Sequence, residues 1–276
     1  MPIFEFVKKR IKKMSKVIRS LTDPTAVGLL RLSFDKKLRY AWRKCIISSP
    51  TLISELSSKF EFEDIILDKK PKGDLPYKSK NVYIVSPRIL ERVGQLKNSR
   101  LGILATLPIP IALSVESFDA SGMLILDGID DVGDLGTILR SAIAFNWKKV
   151  WITHSCADPF DPVCIRSSQG ALFSLPYRVG STENAIKHCR ASKGVTKLKF
   201  SPDSNGLKLG MNYTSLSETF LPLSGSLSLL VQKHSSSNTT DFKSIQLPSM
   251  NPHIMPISTS VSSLLYILQS RYGSST

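Results

Sequence analysis

Long apolar runs are missing from this chain. No stretch approaches the roughly 18 uninterrupted apolar residues that a membrane helix needs, and the most apolar one, residues 101–114, is broken by Pro108 and Pro110. No membrane partner is therefore expected. Paired cysteines are missing too. Cys45, Cys156, Cys164 and Cys189 form no C-x-x-C motif, which excludes a zinc ribbon and a thioredoxin-type site; four scattered cysteines fit reduced thiols inside a cell. His154, His188, His234 and His253 have no metal-ligand spacing, so no metal site is expected. Acids are scarce: 22 Asp and Glu face 37 Lys and Arg, a formal charge of +15. Such a charge speaks to partners rather than to fold. Phosphate polymers are the natural partners, because each cation placed on a phosphate releases counterions. What remains is a globular composition, 42% hydrophobic over 276 residues, enough for one large domain or two modest ones.

The shortage of acid is most local at the start. "MPIFEFVKKRIKKMSKVIRSL" carries seven cations against Glu5 alone. Phe4, Val7, Ile11, Met14 and Ile18 recur at helical spacing. A basic amphipathic start of this kind suits an organelle presequence and equally an RNA-binding helix; the absence of an apolar core excludes a secretory signal. Residues 1–15 are therefore read as a basic extension or presequence.

Residues 16–110 read as a small mixed α/β domain. Helices are expected at "DPTAVGLLRLS", "SPTLISELSSK" and "SPRILERVGQL", where Asp23 and Ser49 are candidate caps and Pro24 and Pro50 fit first helical positions. Strands are expected at "EDIILD", "NVYIVS" and "LGILATL". Residues 108–121 read as a linker. Residues 121–276 alternate strand and helix: "MLILDG", "DLGTILRSAIAFN", "KKVWIT", "PVCIRSSQGAL", "ENAIKHCRASKG", "VTKLKF", "LSLLVQ", "KSIQLP" and "STSVSSLLYILQSRYG". Alternation of this kind implies a mostly parallel sheet. Ligands of such sheets lie at the carboxyl ends of the strands, which singles out the loops after Leu126, Leu230 and Leu247.

The second segment resembles the catalytic domain of the SpoU (TrmH-type) RNA ribose 2′-O-methyltransferases of the SPOUT class. "DLGTILRSA" (Asp134–Ala142) resembles the family's Asn-x-Gly-x-x-x-Arg motif. "IRSSQGALFSLPY" (Ile165–Tyr177) resembles its Ser-x-Gly-Ala-Leu-x-x-Leu-Pro stretch, and "STSVSSLLY" (Ser258–Tyr266) its third motif. Residues 16–110 resemble the ribosomal-protein-like RNA-recognition domain that precedes it. The resemblance implies an α/β trefoil-knot domain with a mostly parallel sheet over 121–276, S-adenosylmethionine as methyl donor bent in the knot, ribosomal RNA as partner, and a homodimer or a heterodimer with another SpoU-like subunit. It implies a catalytic place for Arg140 and Asp134. It implies donor-binding places for Gly136, Gln232, His234, Leu247, Met250 and Ser258.

Several of these positions depart from the family pattern. Asp134 replaces an Asn, exchanging an amide donor for an acceptor-only carboxylate that could pair with Arg140 and silence it, or repel RNA phosphate. Gln232 and His234 stand where the second motif has Gly and Glu; a Gly there lets backbone approach the donor, whereas Gln adds a long side chain. Ser258 replaces the third-motif Asn, and Ser48-Ser49 replaces a Glu-Gly in the first domain. The reading is a non-catalytic SpoU-like protein that binds ribosomal RNA in assembly intermediates of the large, mitochondrial, subunit, with no cofactor retained; another intracellular ribosome-assembly compartment is the other setting. The alternative is an active S-adenosylmethionine-dependent 2′-O-methyltransferase centred on Arg140.

Overall fold

A computed structural model describes residues 15–71, 73–96, 102–114, 120–202, 207–208, 226–233, 239–247 and 255–272. The chain divides into two compact units: Met1–Pro110 with Phe160–Gln169, and Ile111–Pro159 with Gly170–Thr276. The fold class is α/β, and the second unit carries the parallel sheet that the strand and helix alternation predicts.

In the first unit, strands β1 (Ser15–Ile18), β2 (Lys44–Ile47), β3 (Phe62–Leu67), β4 (Ser79–Val85) and β5 (Ile103–Pro108) form one sheet in the order β1-β4-β3-β5-β2. Pairing is parallel at β1/β4 and β3/β4 and antiparallel at β3/β5 and β2/β5. Helices α1 (Pro24–Phe34), α2 (Lys36–Trp42), α3 (Pro50–Leu56) and α4 (Pro87–Val93) accompany it. Asp23 and Ser49 cap α1 and α3 by accepting from the Thr25 and Leu52 amides, with Pro in the first turn of each. Ile18, Ala26, Leu29, Leu32, Ile66, Ile89 and Leu104 share a buried core.

Helical spacing through Ile18 does not hold at residues 15–18. They form β1, because Ile18 is drawn into the core at 1% exposure and pairs with Val85. The rest of the basic extension, residues 1–14, lies outside the described residues. Sequence pattern does not announce α2 or β2. "KKLRYAW" is too short for a helical period to register, and its start is set by Asp35, which ends α1 and caps α2 through the Leu38 amide. The Ser48-Ser49 pair is structural: Ser49 caps α3, and Ser48 accepts from Arg166 Nη1 at 2.6 Å.

In the second unit, β6 (Met123–Asp127) leads through a loop into α5 (Val132–Ala144), then β7 (Lys149–Thr153). The chain next contributes α6 (Pro162–Ser167) to the first unit. The helix expected over 162–172 stops early because Gln169 (φ 50°) and Gly170 (φ 69°) both turn left-handed. There follow β8 (Tyr177–Gly180), which the alternation does not predict, α7 (Thr182–Ala191), β9 (Val195–Phe200), β10 (Leu207–Lys208), β11 (Ser226–Gln232), β12 (Lys243–Gln246) and α8 (Ile257–Tyr272). Among the described residues the strands make one parallel sheet, β10-β12-β9-β11-β6-β7-β8. β6 is buried along its whole length, as expected for a strand covered on both faces. α8 packs on α5, where the Ser141 and Ser262 hydroxyls lie 2.7 Å apart and the Phe145 and Tyr266 rings 5.5 Å apart.

Candidate functional site

β6 and β11 are neighbours in register, so Asp127 and Gln232 end side by side at the carboxyl edge of the sheet. The Asp127 side chain collects four donors. Thr153, Ser155 and Thr182 hydroxyls donate to Oδ1 at 2.9, 2.9 and 2.8 Å, and Gln232 Nε2 donates to Oδ2 at 2.8 Å. Burial opposes ionisation of this carboxyl, but the four side-chain hydrogen bonds outweigh it and hold it below the usual carboxylate range. Four strands, β6, β7, β8 and β11, with the residues just beyond β7 and β8, thus converge on one buried anion.

The loop after β6 is shaped by the same edge. Gly128 takes φ +73°, a left-handed conformation that suits glycine. Its amide donates to Ser155 Oγ at 3.1 Å. Lys233 N–H donates back to Asp127 O at 3.1 Å, and the Lys233 ammonium pairs with Asp130. Asp131 then caps α5 by accepting from the Asp134 amide at 2.8 Å, where a carboxylate also suits the positive end of the helix dipole.

The structure brings some of the sequence-predicted residues together. The Ser258 hydroxyl, in the first turn of α8, donates to Asp134 Oδ1 at 2.5 Å. Gly136 is buried in the second turn of α5. Arg140 lies six residues beyond Asp134, roughly 9 Å along the axis and a third of a turn away, and is exposed. The Asp134–Arg140 pair that the sequence suggested is not formed among the described residues; Ser258 occupies the carboxylate instead. Gln232 is fully buried, with its amide committed to Asp127. Leu247 follows β12 and is half-buried. His234 and Met250 lie outside the described residues. No group of three His, Cys, Asp or Glu placed to hold a metal ion occurs among the described residues.

Sequence reasoning missed Asp127, Thr153, Ser155 and Thr182. Asp127 had a signal: it is the polar residue that ends an unbroken apolar strand, at the edge where open α/β sheets bind ligands. The three hydroxyl residues had none, because their convergence depends on strand order.

Residues 122–221 match the model of the SpoU rRNA Methylase family. Among curated proteins, the chain is 36% identical over 94 residues to an uncharacterized tRNA/rRNA methyltransferase of Synechocystis. That match covers 34% of this chain and 34% of the relative. It is 44% identical over 54 residues to human mitochondrial rRNA methyltransferase 3, over 20% of this chain and 13% of that protein. It is 27% identical to the 23S rRNA (adenosine(1067)-2'-O)-methyltransferase of Streptomyces azureus, over 71% and 72% of the two chains. The matched part thus spans about a third or less of the first two relatives. Among solved structures, an AdoMet-bound rRNA methyltransferase from Sinorhizobium meliloti superposes with a TM-score of 0.72 at 17% identity, over 94% of this chain and 98% of that one. That likeness shows a shared fold.

Proposed function

We propose that this chain is a member of the SpoU methyltransferase family that binds ribosomal RNA and whose own methyl-donor site no longer works. One observation carries the reading. Gln232 stands where the family pattern has a Gly, and its side chain is fully buried and bonded to Asp127 at the carboxyl edge of β11. A Gly there leaves room for backbone to approach a ligand; a committed Gln side chain takes that room. Asp134 and Ser258 satisfy each other in the same way. On this reading the described residues do not fit a bound S-adenosylmethionine.

The charge of +15 supports binding to a phosphate polymer. The RNA-methyltransferase names of the relatives support ribosomal RNA as that polymer. The partial likeness to a mitochondrial relative supports a mitochondrial setting; on this reading the targets are large-subunit assembly intermediates. The return of α8 onto α5 after β12 supports a trefoil knot at the C-terminal end of the sheet. Exposed Ile143 on α5 and Tyr266 on α8 support pairing with a second copy or with another SpoU-like subunit through this face. On this reading residues 16–110 are the RNA-recognition domain, 121–276 the SpoU-like domain, and residues 1–15 a presequence or RNA-binding extension.

A second reading is favoured by Arg140, which is exposed on α5 and in no ion pair among the described residues: an active 2′-O-methyltransferase with an altered donor loop. Calorimetry with S-adenosylmethionine on the full chain separates the two. No heat of binding is expected, and micromolar binding would overturn the first reading. Under the second reading Arg140→Ala abolishes methyl transfer to ribosomal RNA and leaves RNA affinity close to unchanged.

A further inference from the structure

We propose that the α1–α2 hairpin of the first unit is a stacking platform for single-stranded RNA, with the Phe34 ring taking a base and Arg31, Lys36 and Lys37 taking the adjoining phosphates. The proposal rests on the reading of the chain as an RNA-binding protein and gives that reading a surface and a form of RNA. Phe34 closes α1 with 60% of its surface exposed. Val27, Arg31 and Phe34 follow one another at i, i+4 and i+7, which puts them on one face of the helix. Trp42, at the end of α2, is 52% exposed and lies over Gly28, whose added Cβ would meet the ring at 3.5 Å. Isolated exposed apolar residues are ordinary. Here three large ones crowd one hairpin beside an open groove of about 590 Å³, lined by Leu30, Arg31, Phe34, Asp35, Lys36 and Lys37.

The electrostatics select the occupant. Asp35 is the acid in the groove, and its carboxylate accepts from the Leu38 amide to cap α2. Arg31, Lys36 and Lys37 are exposed and in no ion pair among the described residues. The groove therefore presents an aromatic face ringed by unneutralised cations. That combination grips single strands without base-specific readout: a ring stacks any base, and cations follow the backbone. A second copy of this chain is the poorer occupant, because an isologous contact would set the same cation cluster against itself.

The test is anisotropy of a labelled single-stranded RNA of mixed sequence, about 12 nucleotides long to cover one binding site, against a blunt duplex of the same length, with the full chain. Phe34→Ala is expected to weaken the single strand roughly 5- to 150-fold, while Phe34→Tyr keeps the affinity. Lys36→Ala with Lys37→Ala is expected to flatten the salt dependence by about 0.7 in log–log slope for each phosphate no longer neutralised. The single strand is also expected to quench Trp42, read as a difference from Trp42→Phe. Unchanged affinity in Phe34→Ala would overturn the platform and leave the RNA-binding reading standing. Failure of both RNA forms to bind would overturn both. A dimer that dissociates in Phe34→Ala with RNA affinity unmoved would reassign the surface to self-association and overturn the platform.

Discussion

Removing the Asp127 carboxylate tests whether the strand edge is held together by this one anion. In Asp127→Ala, four donors lose their acceptor at once. Hydrogen bonds to a charged group contribute roughly 1.5–3 kcal/mol each, yet the four losses do not simply add. The Thr153 and Ser155 hydroxyls lie 2.7 Å apart and can bond each other. Thr182 is half-exposed and reaches water. Gln232 is fully buried, so the loss of its acceptor stands. One buried bond removed outright and a fraction of the others gives about 3 kcal/mol. Asp127→Asn keeps the shape, and the Gln232 amide can turn its oxygen toward the new NH₂, so that variant costs about 1 kcal/mol. Urea unfolding in a Trp42→Phe background reads the second unit through Trp147 and Trp151, both buried there; a slope near 3 kcal/mol per molar places the Asp127→Ala midpoint about 1 M lower. An Asp127→Ala midpoint within about 0.2 M of the parent would refute the network. The pH dependence has a definite sign. The folded carboxyl is held below its unfolded value of roughly 3.9, so its contribution is complete above about pH 4 and is lost as pH falls through the lower folded value. Asp127→Asn lacks that acid limb.

Two further outcomes follow from packing. Gly180→Ala places a Cβ 2.7 Å from Trp151 Cζ2, and Trp151 is 1% exposed with the Arg178 guanidinium 5.2 Å from its ring centre, so the indole has no room to yield. A loss of about 1–3 kcal/mol is expected in thermal unfolding, and an unchanged melting temperature would count against this packing. All four cysteines are buried, and burial pushes the Cys189 thiol up to about 11. Mass spectrometry after iodoacetamide at about pH 8 is expected to find Cys189 unlabelled in folded protein and labelled in urea; rapid labelling of the folded chain would contradict its environment.

Much of the second unit was legible because its strands are apolar runs and its helices carry caps. β6, α5, β7, α7, β9, β11, β12 and α8 follow the alternation closely, with their ends near the expected ones. β8 was not legible: "YRVG" is four residues with one fully buried member, too short for a period to register. β1 resists sequence reading because Ile18 fits a helical and an extended pattern equally, and only its pairing with β4 decides. The candidate site was half legible. Asp134, Gly136, Arg140, Gln232 and Ser258 could be named from motifs, but that Ser258 answers Asp134 is an interaction across 124 positions of chain. The Asp127 cluster likewise draws on residues 26, 28, 55 and 105 positions away. Local pattern carries no information about such distances.

Among the described residues, two departures from the family pattern have a common physical form: the new polar side chain has a partner within the chain. Asp134 gained the Ser258 hydroxyl, and Gln232 gained Asp127. A buried polar group left alone costs roughly 1–3 kcal/mol, so such replacements persist in a stable fold only when they are matched. Matching also makes them hard to undo singly. Gln232→Gly reopens space but removes a buried donor from the Asp127 carboxylate and adds a flexible residue at the end of a central strand, where Gly itself costs roughly 0.5–1 kcal/mol. Asp134→Asn restores an amide but weakens the acceptor that holds the first turn of α8. Recovery of a donor site therefore needs both edges changed together, and each single reversion is expected to lower stability before it gains any affinity.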